Sequence, residues 1–394
     1  MKQSVFWPLM KDIITRDDKI KLATFCLTSD RFTNGEKVRE FESKWSKWLN
    51  AKYSLMVSSG STANYLLLAA IKELYKLNDG DKVLVPTMTW VTNISPVFQL
   101  GLQPIFCDVD TSNFSFSSEY LSKLKEQHPD IKMIFVTHLF GLASNMDKLK
   151  QLWPDAIIAE DVCESHGVED ENGTKLGLYG EGGTFSFYYG HHMTTIEGGM
   201  VSTNNKKLYE LMRAKRSHGL ARETSPNTYA DYLLKYPDID PQFMFVTDGY
   251  NFRSSELNAV LGLSQLPKLD EWITIRKKNF ERFLKIISKY DYLYRDYFQS
   301  GNSSFCLPFV CDNEQIKKKL KNYLHNAGIE TRPLCSGNLL RQPFLKNRKG
   351  MPNANEFTNS EFLHECGFYI GNNHMITDED FNRLESLLKE FTYE

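Results

Sequence analysis

No lysine occurs between Lys175 and Lys206, and that gap is the most consequential absence in this chain of 394 residues. Other shortages bound the problem first. Basic charge is not in excess: 47 lysines and arginines face 49 acidic residues, for a net charge of −2. A nucleic-acid or anionic-membrane surface wants a basic excess, so anionic ligands must be held by local features. No apolar run is long; the longest, around residues 66–71, is far short of the roughly 20 residues that span a bilayer. The first dozen residues lack the apolar stretch of a signal peptide. Cysteine is sparse and scattered, seven residues at 26, 107, 163, 306, 311, 335 and 366, with no CxxC pair. That excludes a disulfide framework and a zinc site, and implies free thiols in a reducing cytoplasm. Repeats and low-complexity tracts are missing too.

What is present is an alternation of short apolar runs with helical periodicity. Val38, Phe41, Trp45 and Trp48 recur at spacings of 3 and 4, which predicts a helix over 36–49. Strand-like runs at 53–57, 82–85, 103–109 and 132–136 lead into helical stretches near 61–77, 91–100, 118–126 and 146–153. A further run at 156–159 delivers Asp161, and strands are expected at 183–187 and 199–203 before a helix near 207–217. Continuous apolar strands separated by helices imply an α/β fold with a mostly parallel sheet covered on both faces. After residue 250 the texture changes. A long helical pattern over 255–290 precedes strand–helix–strand signals at 303–310, 314–327 and 329–333. The last helix has Thr377 or Asp378 as N-cap and buries Phe381, Leu384, Leu388 and Phe391. Two domains are expected: residues 1–250 as a large α/β unit and 251–394 as a smaller α+β unit.

Several residues carry chemistry. Ser59-Gly60-Ser61-Thr62 lies between a strand and a helix start. Backbone N–H groups there, with the Ser61 and Thr62 hydroxyls, make an anion site, although a capped helix with a tight turn is the plainer reading. Asp161 ends a buried strand at the carboxyl edge where ligands collect in α/β sheets; alone it reads equally as a strand-end cap. Glu164 either supports the same ligand or faces solvent. Trp90 offers an aromatic face, while a lone tryptophan is more often core. Ser186 stands between Phe185 and Phe187, so alternation places its hydroxyl on the face opposite the two rings. His191 and His192 are adjacent, and neighbouring side chains on an extended segment point to opposite sides. With no second ligand group at suitable spacing, they make a poor metal pair.

Taken in order, these motifs resemble the DegT/DnrJ/EryC1/StrS sugar aminotransferases, which use pyridoxal 5'-phosphate on the aspartate-aminotransferase fold, type I. The Ser-Gly-Ser-Thr loop, Asp161, the run from Phe185 to Gly199 and Gly249-Tyr-Asn-Phe-Arg253 carry the resemblance, which covers nearly the whole chain. It implies a cofactor phosphate at Gly60, Ser61 and Ser186, a ring stacked on Trp90, and a pyridine nitrogen paired with Asp161, with Glu164 nearby. It also implies a homodimer with shared active sites, because Asn251 matches a residue that reaches the phosphate from the neighbouring subunit. His218, Arg222 and Phe243 fall where members bind substrate.

One departure changes the expected reaction. At the position of His191 the family normally has a lysine that tethers the cofactor as an imine and shuttles a proton. Imidazole titrates near pH ~6.5 and moves protons well, but it cannot form that imine. Pyridoxamine 5'-phosphate then waits for a ketone. The expected outcome is loss of the C3 hydroxyl from a nucleotide-linked 4-keto-6-deoxyhexose, with glutamate as amino donor and ammonia released. Such a product belongs to dideoxysugars of the O-antigen type, colitose among them. His191 is the expected catalytic residue and His192 the spectator. Relatives that couple to an iron–sulfur cluster need clustered thiolates. Cys306 and Cys311 are the closest pair here, so neither a cluster nor a reductase partner is expected. Two rivals remain: an aminotransferase whose lysine comes from elsewhere, such as Lys175 or Lys206, and a cofactor-binding protein without turnover. Arg222, Arg253, Arg332 and Arg341 are candidate contacts for the diphosphate.

Overall fold

Both faces of the main sheet are covered, which is why its strands are apolar throughout. A computed structural model describes residues 5–393. Seven strands form this sheet: β1 (Tyr53–Val57), β2 (Lys82–Pro86), β3 (Gln103–Cys107), β4 (Met133–Thr137), β5 (Ile157–Asp161), β6 (Gly182–Ser186) and β7 (Gly199–Thr203). Their spatial order is β1-β7-β6-β5-β4-β2-β3. Neighbours are parallel except at β7, which runs antiparallel to both β1 and β6. Along each strand, alternate residues feed different cores. Leu55, Val57, Val83, Val85 and Phe135 pack on one face with helix Gly60–Leu74. Met56, Leu84, Ile134, Phe185 and Phe187 pack on the other with Phe41 and Trp45 of helix Glu36–Leu49. The Trp45 ring lies 5.0 Å from both Phe185 and Phe187; truncating so large a buried ring to alanine typically costs about 3–5 kcal/mol.

Three antiparallel strands follow, β8 (Cys306–Val310), β9 (Thr331–Pro333) and β10 (Gly367–Gly371), in the order β8-β10-β9. Their core joins Phe309, Phe368 and Ile370 to Phe283, Leu320, Leu324, Phe381, Leu384 and Leu388. Thr377 caps the last helix, Asp378–Glu390, in a reciprocal capping box with Asp380. The long helical pattern after residue 255 resolves into Glu256–Gln265 and Leu269–Ile287. A 3₁₀ turn at Leu266–Lys268 separates them, where Pro267 removes a backbone donor.

Packing crosses residue 250 in both directions. Helix Glu256–Gln265 lies against helices Arg16–Thr28 and Glu36–Leu49. Trp7 sits in the C-terminal core and donates its indole N–H to the Gly371 carbonyl at 2.8 Å. Helix Arg16–Thr28 carries no amphipathic signal, because Ile20 and Leu27 are exposed and Asp18 is the residue it buries. Among the described residues, no helix is long and apolar enough to cross a membrane. Since β1, β2, β4, β5 and β6 run in one sense, their carboxyl ends share one edge, and the loops beyond that edge build the site.

Candidate active site

The site begins at the first turn of helix Gly60–Leu74. Ser59 caps it: Ser59 Oγ accepts from Thr62 N at 3.1 Å, and Thr62 Oγ1 accepts from Ser59 N at 3.0 Å. Thr62 therefore differs from expectation, since its hydroxyl is spent on the cap and is not free for an anion. Gly60 is required for close approach. A Cβ there would lie 2.6 Å from Ser186 Cβ and 3.0 Å from both Ser186 Oγ and Cys163 Sγ. Only glycine lets the helix terminus, with its unpaired N–H groups, seat against the end of β6.

A cavity of about 410 Å³ opens at that junction. Ser59, Gly60, Ser61 and Ser186 line it, as do Asp161, Cys163 and Glu164 after β5, Trp90 after β2, and Tyr188 and His191 after β6. Asp161 is buried, and its carboxylate accepts from Asn64 Nδ2 at 2.7 Å and from the Cys163 N–H at 2.8 Å. Burial, reinforced by the charge of Asp161, pushes the Glu164 carboxyl up to about 8, and its Oε2 is buried without a partner. Trp90 is 54% exposed at the rim of the cavity. Phe185 and Phe187 point into the core while Ser186 faces the cavity, as alternation predicts.

The two histidines part company. His191 sits in a turn whose N–H reaches the Tyr188 carbonyl at 3.0 Å, and its ring packs 5.5 Å from Phe305. Its Nδ1 is buried and unpartnered. Burial, with the Arg276 guanidinium behind it, pushes the imidazole down to about 3, so it is neutral at physiological pH. His192 points into the core and donates from Nε2 to the Ser303 carbonyl at 2.8 Å. Among the described residues, no group of three or more His, Cys, Asp or Glu is placed to hold a metal ion.

Among the described residues, no lysine lines the cavity. Lys175 donates to the Trp48 carbonyl at 3.2 Å and lies 4.2 Å from the centre of that indole ring. Lys206 opens helix Lys206–Arg216, again away from the cavity. A glycine-shaped anion cradle, an opposed serine hydroxyl, a buried carboxylate and an aromatic face suit a phosphorylated pyridine ring. The residues present therefore fit pyridoxal or pyridoxamine phosphate, held without a lysine.

The remaining expected residues form a second, exposed cluster. The His218 N–H donates to the Tyr250 carbonyl at 2.7 Å, Ser217 bridges Asn251, and Arg253 Nε donates to Asn251 Oδ1 at 3.1 Å. Arg222 stands 5.6 Å from the Phe243 ring centre. His218, Arg222, Phe243 and Asn251 do not line the cavity of their own chain. Of the four candidate arginines, Arg341 is locked by Glu361 and Glu365, and Arg332 alone lines the cavity. Tyr369 and Cys335 line it as well, and carry no motif that marks them. Tyr369 lies on β10 and Cys335 in the turn after β9, both in the C-terminal unit, so only tertiary packing brings them here.

The chain belongs to the DegT/DnrJ/EryC1/StrS aminotransferase family, whose model matches residues 14–389. It is 34% identical to the GDP-4-keto-6-deoxy-D-mannose 3-dehydratase of Escherichia coli O55:H7, over 95% of this chain and 98% of that protein. A solved structure of the E. coli GDP-4-keto-6-deoxy-D-mannose-3-dehydratase with bound hydrated PLP matches with a TM-score of 0.90 and 31% identity, covering 98% of this chain and 100% of that one. A GDP-4-keto-6-deoxymannose-3-dehydratase structure with a trapped PLP–glutamate geminal diamine matches with a TM-score of 0.87 and 32% identity, covering 97% and 100%. The fold is that of the PLP-dependent type I transferases.

Proposed function

We propose that this chain is a PLP/PMP-dependent 3-dehydratase that removes the C3 hydroxyl of GDP-4-keto-6-deoxy-D-mannose. The product is the 4-keto-3,6-dideoxy sugar; ammonia is released, and glutamate restores the amine form of the cofactor. One observation carries the reading: the His191 imidazole lines the cavity at the position the family gives to the tethering lysine, and no lysine among the described residues lines it.

Bound pyridoxamine phosphate supplies an amine for the sugar ketone and a ring that spreads the electron pair needed to expel the C3 oxygen. The protein does the rest. The first turn of helix Gly60–Leu74, with the Ser61 and Ser186 hydroxyls, binds the phosphate. Asp161, held by Asn64 and the Cys163 N–H, keeps a proton on the pyridine nitrogen. Glu164 stays largely protonated at neutral pH and so presents a hydrogen-bond donor to the ring. His191, neutral in this pocket, accepts one proton and returns one to the departing hydroxyl; a positioned acid–base group of this kind contributes about 10²–10⁴-fold.

The exposed cluster of His218, Arg222, Phe243 and Asn251 serves the cavity of a second copy in a homodimer. In its support, Phe243 and Phe245 are 62% and 60% exposed, a patch of the sort that marks an interface. The cytoplasm, where nucleotide sugars are made, is the proposed compartment.

The test is turnover of a panel of nucleotide-linked 4-keto-6-deoxy hexoses with glutamate, read by mass spectrometry for loss of the C3 oxygen and by ammonia release. The reading predicts a deoxygenated product, fastest with the GDP-linked manno sugar. An aminated sugar that retains its C3 oxygen would identify a transaminase instead, and binding without any turnover would identify a ligand-binding protein.

A further inference from the structure

Three imidazoles meet behind the reacting end of the cavity, and four of their six nitrogens are buried with no hydrogen-bond partner among the described residues: His191 Nδ1, His192 Nδ1 and both nitrogens of His166. His166, in the turn after β5, is wholly buried. Its ring centre lies 5.2 Å from that of His192 and 6.1 Å from that of His191. The other rings around it are aromatic, Trp45 and Phe187 at 5.7 Å and Phe185 at 5.9 Å. A buried polar atom left unpaired is costly, so these nitrogens need one another.

Burial holds all three rings neutral, so each has one donor and one acceptor nitrogen. His192 is settled: Nε2 gives its proton to the Ser303 carbonyl, which leaves Nδ1 a lone pair. His166 has two acceptors beside it, that lone pair and the Ser186 carbonyl. One of its nitrogens therefore carries the proton, and the other is free to accept. His191 lines the cavity while its Nδ1 is buried. Of the rings packed on it, Phe305 has no polar atom, Tyr188 is exposed, and His166 is buried with a nitrogen to spare. Two other buried donors, Trp45 Nε1 and Arg276 Nε, also lack partners, but neither can take a proton from His191.

We propose that His166 and His192 are positioning residues that fix the tautomer of His191. His191 Nδ1–H donates to His166, His166 donates to His192 Nδ1, and the Ser303 carbonyl sets the order from the far end. Where two nitrogens stand too far apart for direct contact, one buried water makes the link. His191 Nε2 is thereby kept as a lone pair toward the cavity, the form a base needs before the first proton moves. The inference rests on the proposed function, since only there must His191 act as a base. His192, turned into the core, acts on the reaction through His166 without touching a reactant.

The test is nitrogen NMR on histidine-labelled protein loaded with pyridoxamine phosphate, because protonated and lone-pair ring nitrogens differ widely in chemical shift. The chain has nine histidines, and His191→Asn assigns one set of signals by removing it. The wild type should carry the His191 proton on Nδ1 and the His192 proton on Nε2. His166→Phe should move the His191 proton largely to Nε2. It should also slow single-turnover deoxygenation of the keto sugar on the order of 10- to 100-fold, the range seen when the orienting partner of a metal-bound histidine is lost. Cofactor affinity should not change, since His166 does not line the cavity. His166→Gln, whose amide both accepts and donates, should keep the Nδ1 proton and recover most of the rate. A His191 proton on Nε2 in the wild type, as donation from Arg276 to Nδ1 would impose, overturns the proposal. So does a His166→Phe protein that keeps the wild-type tautomer and rate. Should the wild type aminate its keto sugar and retain the C3 oxygen, the dehydratase reading falls, while an Nδ1 proton on His191 still upholds the relay.

Discussion

Gly60→Ala puts the anion cradle to a quantitative test. The added methyl would sit 2.6 Å from Ser186 Cβ and 3.0 Å from Cys163 Sγ, well inside van der Waals contact. Neither neighbour is the end of a long flexible chain, so the helix terminus must back away from β6. Overpacking of this kind costs about 1–3 kcal/mol, which outweighs the at most ~1 kcal/mol that alanine gains over glycine in a helix. Withdrawal also lengthens the contacts from the first-turn N–H groups to the phosphate. Losing one charge-assisted bond of about 1.5–3 kcal/mol weakens the cofactor about 10- to 150-fold. The assays are denaturant unfolding of the cofactor-free protein and equilibrium titration with pyridoxal phosphate. A second change separates the two effects. Gly60→Ala with Ser186→Gly removes the closest clashing atoms, so stability should recover while affinity stays low, because the Ser186 hydroxyl is gone as well. A Gly60→Ala protein with wild-type stability and wild-type cofactor affinity would refute the reasoning.

Further outcomes follow from the same geometry. Inactive His191→Asn protein, mixed and refolded with inactive Asn251→Ala protein, should regain about a quarter of wild-type activity, because half of the randomly paired dimers then hold one intact shared site; no recovery would mean each chain builds its site alone. The Glu164 carboxyl titrates at about 8 in the folded chain against 4.5 for a free one. Between those values the unfolded chain releases a proton that the folded chain keeps. Above about pH 6.5, where the buried His191 is neutral in both states, stability of the cofactor-free protein should therefore fall as pH rises to about 8. Glu164→Gln should flatten that slope, and an unchanged slope in denaturant titrations would assign it elsewhere. His192→Phe strands the Ser303 carbonyl and should cost about 1–3 kcal/mol of stability. It should nonetheless dehydrate substrate far faster than His191→Asn does, and the reverse order would exchange the two roles.

Much of this was legible because the information is local. β1 and β7 and helix Glu36–Leu49 match the apolar runs residue for residue, since burial on both sheet faces or along one helix stripe leaves a direct trace. Asp161 and Ser186 are legible for a related reason: each ends a strand, where a polar residue after an apolar run stands out, whereas His191 lies in the turn beyond β6 and is marked by the family resemblance. What escaped is non-local. β10 follows helix Thr358–Cys366 with no linker, Gly367 serving both as cap and as first strand residue, so no turn signal divides them. Tyr369 was lost with it. Arg332 was noticed only as one of four arginines, because its place on the cavity wall is a property of the packed chain. Thr62 was misjudged because a hydroxyl free in sequence closes a capping box in space.

The central claim is that the cofactor rests in this cavity with no covalent bond to the chain, because imidazole has replaced the tethering amine. Borohydride treatment of the loaded protein, followed by intact-mass and peptide analysis, tests it most directly. The account predicts a chain of unaltered mass from which denaturation frees all of the cofactor. A pyridoxyl group fixed to any lysine would contradict it.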